Sequence, residues 1–436
     1  MQYLYLDNFR GFKNTYFPID EVNFLVGENS TGKTSMLGIL QLISSPQFWF
    51  QCDFNMTGIN FGLFDDIVSI NSKNRKYFTV GFIQGNSNKK QKIEINAFLM
   101  TFIEKDGMPW PSIYIHYHDS TEVRICFEQH GVKYKVRSVG KLYKVEEFIK
   151  KIYKQWTKEH ASDNMNYKNI PPSLKAYIDA PPMIIATAVE EQSLIKKKRV
   201  RPTGIIRTPI EINNIAWIAP VRTKPRRTYD EYKLDFSPEG DHTPYLIKRI
   251  LQKRSHAKEF VKFIKQVGQE SGLFENIIIK GYGKGVTAPF ELDIILNKKA
   301  LNINSVGYGV SQSLPVIVEL FAKGKEQWYA IQQPEIHLHP KAQAALGDLF
   351  FELAVRDRKV FFVETHSDYA IDRFRLNYRK KGIKKKPNAQ LLYFERRKDG
   401  NSVYQLSINE NGELPTGQPE GYRKFFIKED LKLLGL

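Results

Sequence analysis

Only two cysteines, Cys52 and Cys126, occur in the 436 residues. That excludes a disulfide framework and an all-cysteine zinc site. No apolar run reaches the roughly 18 residues that a membrane-spanning helix needs. The opening MQYLYLDNFRGF lacks the basic-then-apolar pattern of a secretory signal. Sustained heptads are missing, so a long coiled-coil arm is not expected, and no internal repeat stands out. Acidic residues are in deficit: 47 Asp and Glu face 65 Lys and Arg, a formal net charge of +18. Hydrophobic residues at 42% nevertheless exclude a wholly disordered chain. At about 150 residues per domain the length allows two or three lobes. These absences leave a soluble, cytoplasmic, basic α/β protein as the expectation, with no membrane partner.

Part of the positive charge is clustered. One run covers residues 196–201 and a second, RFRLNYRKKGIKKK, covers 373–386. Either run alone is ordinarily a solvated loop. Two runs of one sign favour a polyanionic partner, nucleic acid or an acidic protein, because phosphate binding releases counterions. Arg222, Arg226 and Arg227 follow a core strand and read either as a solvated loop or as a nucleotide or DNA contact.

Period-two alternation predicts a strand within residues 1–12, closed by Asp7-Asn8 and Gly11. Residues 22–26 read as a short buried strand, followed by a glycine-rich turn and a helix over 33–43. Residues 77–103 predict two strands joined at Gly85-Asn86, and 112–117 and 123–127 two more, making an antiparallel β-lobe. A helix is expected over 145–156. The polar stretch 157–207, with Pro171, Pro172, Pro181, Pro182 and Pro202, reads as an insertion with a flexible basic loop. A core strand returns at 215–218. Then come an amphipathic helical stretch over 245–267, a strand at 290–296, a helix at 314–322 and a strand at 328–331. A helix at 340–355, a strand at 359–363 and tail strands near 390–394 and 403–408 complete the chain. This alternation predicts an α/β fold with a mostly parallel, doubly wound core sheet. The expected divisions are 1–135, 136–275 (a helical, basic insertion containing the return strand near 215–220) and 276–436.

Gly27-Glu28-Asn29-Ser30-Thr31-Gly32-Lys33-Thr34 fits G-x-x-x-x-G-K-[ST] and stands between a buried strand and a helix, the context that motif requires. Backbone N–H groups from Asn29 to Thr34 would converge on a β-phosphate at a helix N-terminus. Lys33 would reach the β/γ oxygens, Thr34 would offer its hydroxyl to Mg²⁺, and Ser35 follows in the same turn. Further on, Ser305-Val306-Gly307-Tyr308-Gly309 precedes a helix that carries Pro315 near its expected first turn. Two buried strands then run into polar ends, Gln332-Gln333-Pro334-Glu335-Ile336-His337-Leu338-His339 and Glu364-Thr365-His366-Ser367. His337 and His339 have no further His or Cys nearby at ligand spacing, so they read as a structural turn rather than a metal site.

On NFRGF, GENSTGKTS, SVGYGVSQSLP, QQPEIHLHP and ETHSD, the chain resembles the ABC-type ATPases of the SMC, recombination-repair and overcoming-lysogenization-defect group. On WIAPVRTKPRRTY, ETHSDYAIDRFR and the tail LLYFER…GYRKFF, it resembles the stand-alone ATPase subunits of bacterial anti-phage systems of the Septu and retron-associated type. The resemblance implies an ABC-type P-loop head that uses ATP and Mg²⁺. It implies a head-to-tail dimer or higher oligomer in which the glycine loop of one copy and the signature loop of another sandwich the nucleotide. Ser305 and Gly307 would face the γ-phosphate of the other copy's ATP, and His366 would be the switch histidine. Gln332 and Gln333 would occupy the Mg²⁺ and water-activating positions, and Arg10 would lie near the nucleotide. About 70 residues follow His366, too few for a further catalytic domain of usual size. A nuclease partner, HNH-type by the resemblance, is therefore expected on a separate chain.

Relatives carry a carboxylate in at least one of the two positions before the motif proline, whereas this chain has two amides. An amide takes no proton from water and binds Mg²⁺ more weakly. Glu335 or Glu364 is left to substitute. Asp65 and Asp66, in FGLFDDIVS, are candidates for a polar role that relatives give to a glutamine. The expectation is ATP binding with weak hydrolysis, in an ATPase that regulates a nuclease. A DNA-repair or chromosome-maintenance ATPase, a transporter subunit and an ATP-locked scaffold are the competing readings.

Overall fold

The structure is a computed structural model. It describes the chain apart from residues 57, 88–92, 119–120, 129–130, 139–166, 197–213, 232, 284, 286, 420 and 423–436. The helix expected at 145–156, most of the 157–207 insertion and the basic residues 197–201 lie outside the described residues. Two compact units are present. The first comprises Met1–Asp20, Glu28–Ile212 and Phe394–Val403; the second comprises Glu21–Gly27, Asn213–Tyr393 and Tyr404–Leu436.

The first unit is built on an eight-stranded antiparallel sheet. Its strands are β1 (Gln2–Asp7) and β2 (Thr15–Ile19) and, after β3 to β5 in chain order, β6 (Tyr77–Ser87), β7 (Ile93–Lys105), β8 (Met108–His118), β9 (Thr121–Glu128), β10 (Gly131–Ser138) and β11 (Lys168–Asn169). They lie in the order β11-β10-β9-β8-β7-β6-β1-β2. Pro18 is tolerated because β2 is an edge strand, where a missing N–H breaks no ladder. Pro109 and Pro111 fall in the part of β8 that precedes its pairing with β9, and the β7–β8 register shifts at Thr101/Phe102 beside them. The hairpin expected at Gly85-Asn86 does not turn there. Gly85 stays in β6 opposite Ile95, and its N–H donates to Met1 O. Strand β10 had a clear signal, with Val132, Tyr134 and Val136 alternating with Lys133, Lys135 and Arg137. β4 (Asn55–Met56) and β5 (Ile59–Asn60) form a small separate ladder. An aromatic cluster fills the core here: Phe54 meets Phe78 and Phe102 edge-on at 5.3 and 4.9 Å, and Trp49 meets Phe98 at 4.7 Å. The helices are α1 (Lys33–Ser44), α2 (Pro46–Gln51), α3 (Phe64–Ile67) and α4 (Pro182–Lys196).

The second unit contains the parallel strands. β3 (Val22–Gly27), β12 (Ala216–Ile218), β16 (Trp328–Gln332) and β17 (Val360–Glu364) pair parallel in the order β12-β16-β17-β3. β18 (Ala389–Arg397) and β19 (Gly400–Ser407) extend the sheet beyond β3. β13 (Asn276–Gly281), β14 (Phe290–Leu296) and β15 (Lys299–Asn302) form an antiparallel ladder. Buried strands such as WYAIQ lack alternation because both faces are covered.

The helical stretch expected over 245–267 is two helices, α5 (Thr243–Gln252) and α6 (Arg254–Ser271). Lys253 between them is extended, within QKRSH, a stretch with no buried apolar residue to hold a continuous axis. α7 (Tyr308–Ala322) begins one and a half turns earlier than expected, so Pro315 sits in its interior rather than in its first turn. Every residue from Val310 to Leu320 is buried, and that burial outweighs the local cost of the proline. α8 (Pro340–Asp357) packs on α9 (Asp368–Leu376) through Gly347, where an added Cβ would stand 2.2 Å from Ala370 O and 2.8 Å from Phe374 N. In an exposed helix, Gly→Ala stabilises by about 1 kcal/mol. At 347 the sign should reverse: Gly347→Ala should destabilise by about 1–3 kcal/mol, as overpacking against backbone does. A lowered thermal unfolding midpoint checks it, and a raised one contradicts this packing.

Candidate nucleotide site

In the first unit the glycine loop leads into α1. Ser30 and Gly32 both take positive φ, 61° and 93°. A Cβ on Gly32 would lie 2.4 Å from Phe12 Cζ, so glycine is required twice over, by φ and by space. Thr31 is fully buried, and its hydroxyl donates to Glu28 O at 2.7 Å. The buried Lys33 ammonium donates to the same carbonyl at 2.7 Å, folded back along its own loop. No side chain caps α1 at Gly32 and no acidic residue stands in the first turn. The positive end of the helix dipole therefore meets no acidic side chain in that turn, which fits a phosphate group. Asn29, Ser30 and Thr34 are exposed, and Ser35 is buried.

Arg10 reaches this helix. Its Nη1 donates to Ser35 Oγ at 3.4 Å and its Nη2 to Phe61 O at 3.2 Å, with the guanidinium over the Phe61 ring. Burial pushes its pKa down and Asp66 opposes that. Sequence reasoning missed Arg396, on β18, whose Nη2 donates to Asn29 O and Ser30 O at 3.3 Å. It also missed Asn401, whose N–H donates to Gly11 O at 2.7 Å. A Cβ on Gly11 would strike Asn401 Nδ2 at 2.2 Å, so the NFRGF glycine serves the tip of the β18–β19 hairpin. The signal available for Arg396 was the cationic RRK that follows the buried strand LLYF. Asp65 and Asp66 act locally: Asp65 pairs with Arg75 at 3.3 Å, and Asp66 accepts from Leu63 N at 2.8 Å.

In the second unit β16 and β17 end side by side, with Gln332 opposite Glu364. Gln332 Nε2 donates to Glu364 Oε2 at 3.0 Å; both residues are buried. Gln333 turns the chain with φ 43°, and its N–H donates to Glu364 O at 2.7 Å. Glu335 Oε1 accepts from the main-chain N–H of His366 at 2.7 Å, while Glu335 Oε2 is buried without a hydrogen-bond partner. The His366 side chain is exposed. Gln332, Gln333, Glu335, Glu364 and His366 therefore meet at one edge of the sheet. His339 Nδ1 accepts from Lys341 N at 3.3 Å and caps α8, and His337 lies against the Tyr308 ring. Ser305 and Gly307, ahead of α7, are exposed.

The family model for the AAA ATPase domain matches residues 1–371. The chain belongs to that family. Among curated proteins nothing matches it. Similar solved structures include the SmcHead bound to the C-winged helix domain of ScpA, at 12% identity and TM-score 0.41, covering 94% of this chain and 98% of that one. The Smc head domain with an extended coiled coil from Pyrococcus furiosus, bound to the C-terminal domain of ScpA, is 12% identical with TM-score 0.39, covering 99% and 100%. The SMC head domain from Thermotoga maritima is 11% identical with TM-score 0.37, covering 93% and 98%. The mixed sheets and helices fit the expected α/β ABC-type P-loop ATPase.

Two further expectations of this AAA ATPase-family chain meet the structure differently. Arg222 is neither a solvated residue nor placed to touch DNA: it is 3% exposed. Arg226 and Arg227 are exposed, and Arg226 pairs with Glu231 at 3.3 Å. In the 373–386 run, Arg373 pairs with Asp348, Arg375 with Asp372 and Lys385 with Glu21, and Lys386 donates to Glu410 O. Arg379, Lys380, Lys381 and Lys384 stay exposed. Among the described residues no helix is long and apolar enough to cross a membrane. Among them, too, no group of three or more His, Cys, Asp or Glu could hold a metal ion.

Removing the Lys33 ammonium should weaken ATP binding by at least about 100-fold, the scale of a lost charge-assisted contact to phosphate. Calorimetric titration of Lys33→Ala checks it, and unchanged affinity would place the phosphates elsewhere.

Proposed function

We propose that this protein binds ATP with Mg²⁺, associates head to tail when it does, and gates a separate HNH-type nuclease in bacterial anti-phage defence of the Septu or retron type. The observation that carries the nucleotide part is the uncapped N-terminus of α1 behind a loop that only glycine can form at position 32. The association part is supported by Gly307. Its φ is −60° and a Cβ there would meet nothing within 4 Å. Among the described residues nothing crowds this N-cap glycine, so it leaves room for another molecule to approach the start of α7. In this reading Ser305 and Gly307 of one copy face the terminal phosphate held by the other. The defence role rests on the sequence resemblance.

Mg²⁺, when bound, would offset phosphate charge; the sequence resemblance assigns its ligation to Thr34 and to Gln332. Lys33 neutralises further phosphate charge, Arg10 holds Ser35 in α1, and Arg396 braces the loop. At the reaction end Gln332 and Gln333 accept no proton, which makes hydrolysis slow and leaves Glu335 to take the proton of an attacking water. His366 completes that end. Arg379, Lys380, Lys381 and Lys384 form the surface that suits a nucleic-acid phosphate backbone.

Sedimentation should show the mass doubling, or a higher multiple, with ATP and Mg²⁺, and no change would sink the association. Gln332→Glu should raise turnover about 10-fold or more, by restoring a carboxylate where Mg²⁺ binds. Unaltered turnover would remove the amide as the reason for slow hydrolysis.

A further inference from the structure

Buried arginines are costly unless their donors are satisfied. Arg222 is almost wholly buried, just beyond β12, and only one of its side-chain nitrogens is bonded: Nη2 donates to Gln332 O at 2.9 Å. Its Nε and Nη1 are buried without partners. The carboxylate whose charge bears on it is Glu335, and Glu335 Oε2 is likewise buried and unpartnered. Opposite charges, each short of hydrogen bonds, thus face the same turn. A residue serving only to hold the fold would be expected to have its donors satisfied.

The main chain of Arg222 is held as firmly as its side chain is underused. Its N–H donates to Gln312 Oε1 at 3.2 Å, and its carbonyl accepts from Gln312 Nε2 at 3.4 Å. Gln312 lies on α7, the helix that opens at Gly307. One arginine therefore ties α7 to the carbonyl of Gln332, and its charge bears on Glu335. Burial pushes its pKa down to about 10 and Glu335 opposes that, so the guanidinium stays protonated at neutral pH.

We propose that Arg222 is a positioning residue for ATP hydrolysis: anchored to α7 through Gln312, it fixes the Gln332 main chain and with it the start of the turn that carries Glu335 toward the attacking water. This rests on the reading of the Gln332–Glu335 turn as the hydrolytic end. It replaces a surface role for Arg222 with a buried one and gives the amide-bearing turn a reason to retain activity.

The test combines turnover, nucleotide affinity and thermal unfolding in Arg222→Met, Arg222→Lys, Gln312→Ala and Glu335→Gln. Arg222→Met should lower kcat about 30-fold or more while KM and ATP affinity move less than about threefold. Arg222→Lys should recover part of the loss, and Gln312→Ala should shift kcat in the same direction by a smaller factor. Adding Arg222→Met to Glu335→Gln should cost less than about twofold more, because both act on one step. If Arg222→Met does not fold, the Gln312→Ala and Arg222→Lys variants carry the same kcat-against-KM reading. Equal losses in kcat and affinity, or full additivity with Glu335→Gln, would overturn the proposal. So would a wild type that binds ATP without any turnover, although nucleotide binding itself would stand. A wild type that binds no nucleotide would overturn the underlying reading instead.

Discussion

Strands that run the same way end at the same edge. β16 and β17 are parallel neighbours, so the segments that follow them leave the sheet on one side. The pairing of Gln332 with Glu364 and the bond from Thr365 N to Leu25 O lock these ends in register. A one-residue slip of β16 would turn Gln332 away from Glu364 and bring Gln333 to that face. The geometry of this edge depends on that register.

The polar interior of the second unit anchors the opposite ends of these strands. His242 Nδ1 accepts from Ser237 N at 3.1 Å, so Nε2 carries the proton shared with Glu319 at 2.6 Å. Lys359 Nζ donates to Leu320 O, Lys323 O and Tyr329 Oη, and burial pushes its pKa down to about 8. The Lys359 bonds fasten the C-terminal end of α7 to the starts of β16 and β17. A helix buried on every side, with a proline in its interior, then has little freedom to shift. That rigidity is what allows one hydrogen-bonded pair, Gln312 with Arg222, to transmit position from α7 to the Gln332 carbonyl.

Most of the parallel sheet was readable because its strands are short, wholly apolar and followed by polar ends: the strand expected at 328–331 is Trp328–Gln332, and that at 359–363 is Val360–Glu364. The glycine loop was readable because its residue types answer to backbone needs that do not depend on distant neighbours. Boundaries failed where tertiary packing outvoted local rules, as at Pro315 within α7 and Gly85 within β6. The break at Lys253 was hidden because amphipathic periodicity runs on across a polar gap.

Local chemistry, written in the order of residues, thus determined the glycine loop and the pair of amides before Pro334, since each depends on neighbours in the chain. Packing alone decided that Arg222 is interior, that Arg396 braces the loop, that Asn401 meets Gly11, and that Glu335 meets the His366 backbone. Those contacts join residues 31 to 367 positions apart, as Glu335–His366 and Arg396–Asn29 show. No local periodicity encodes such a distance; only the closing of the fold brings the partners within a hydrogen bond's reach.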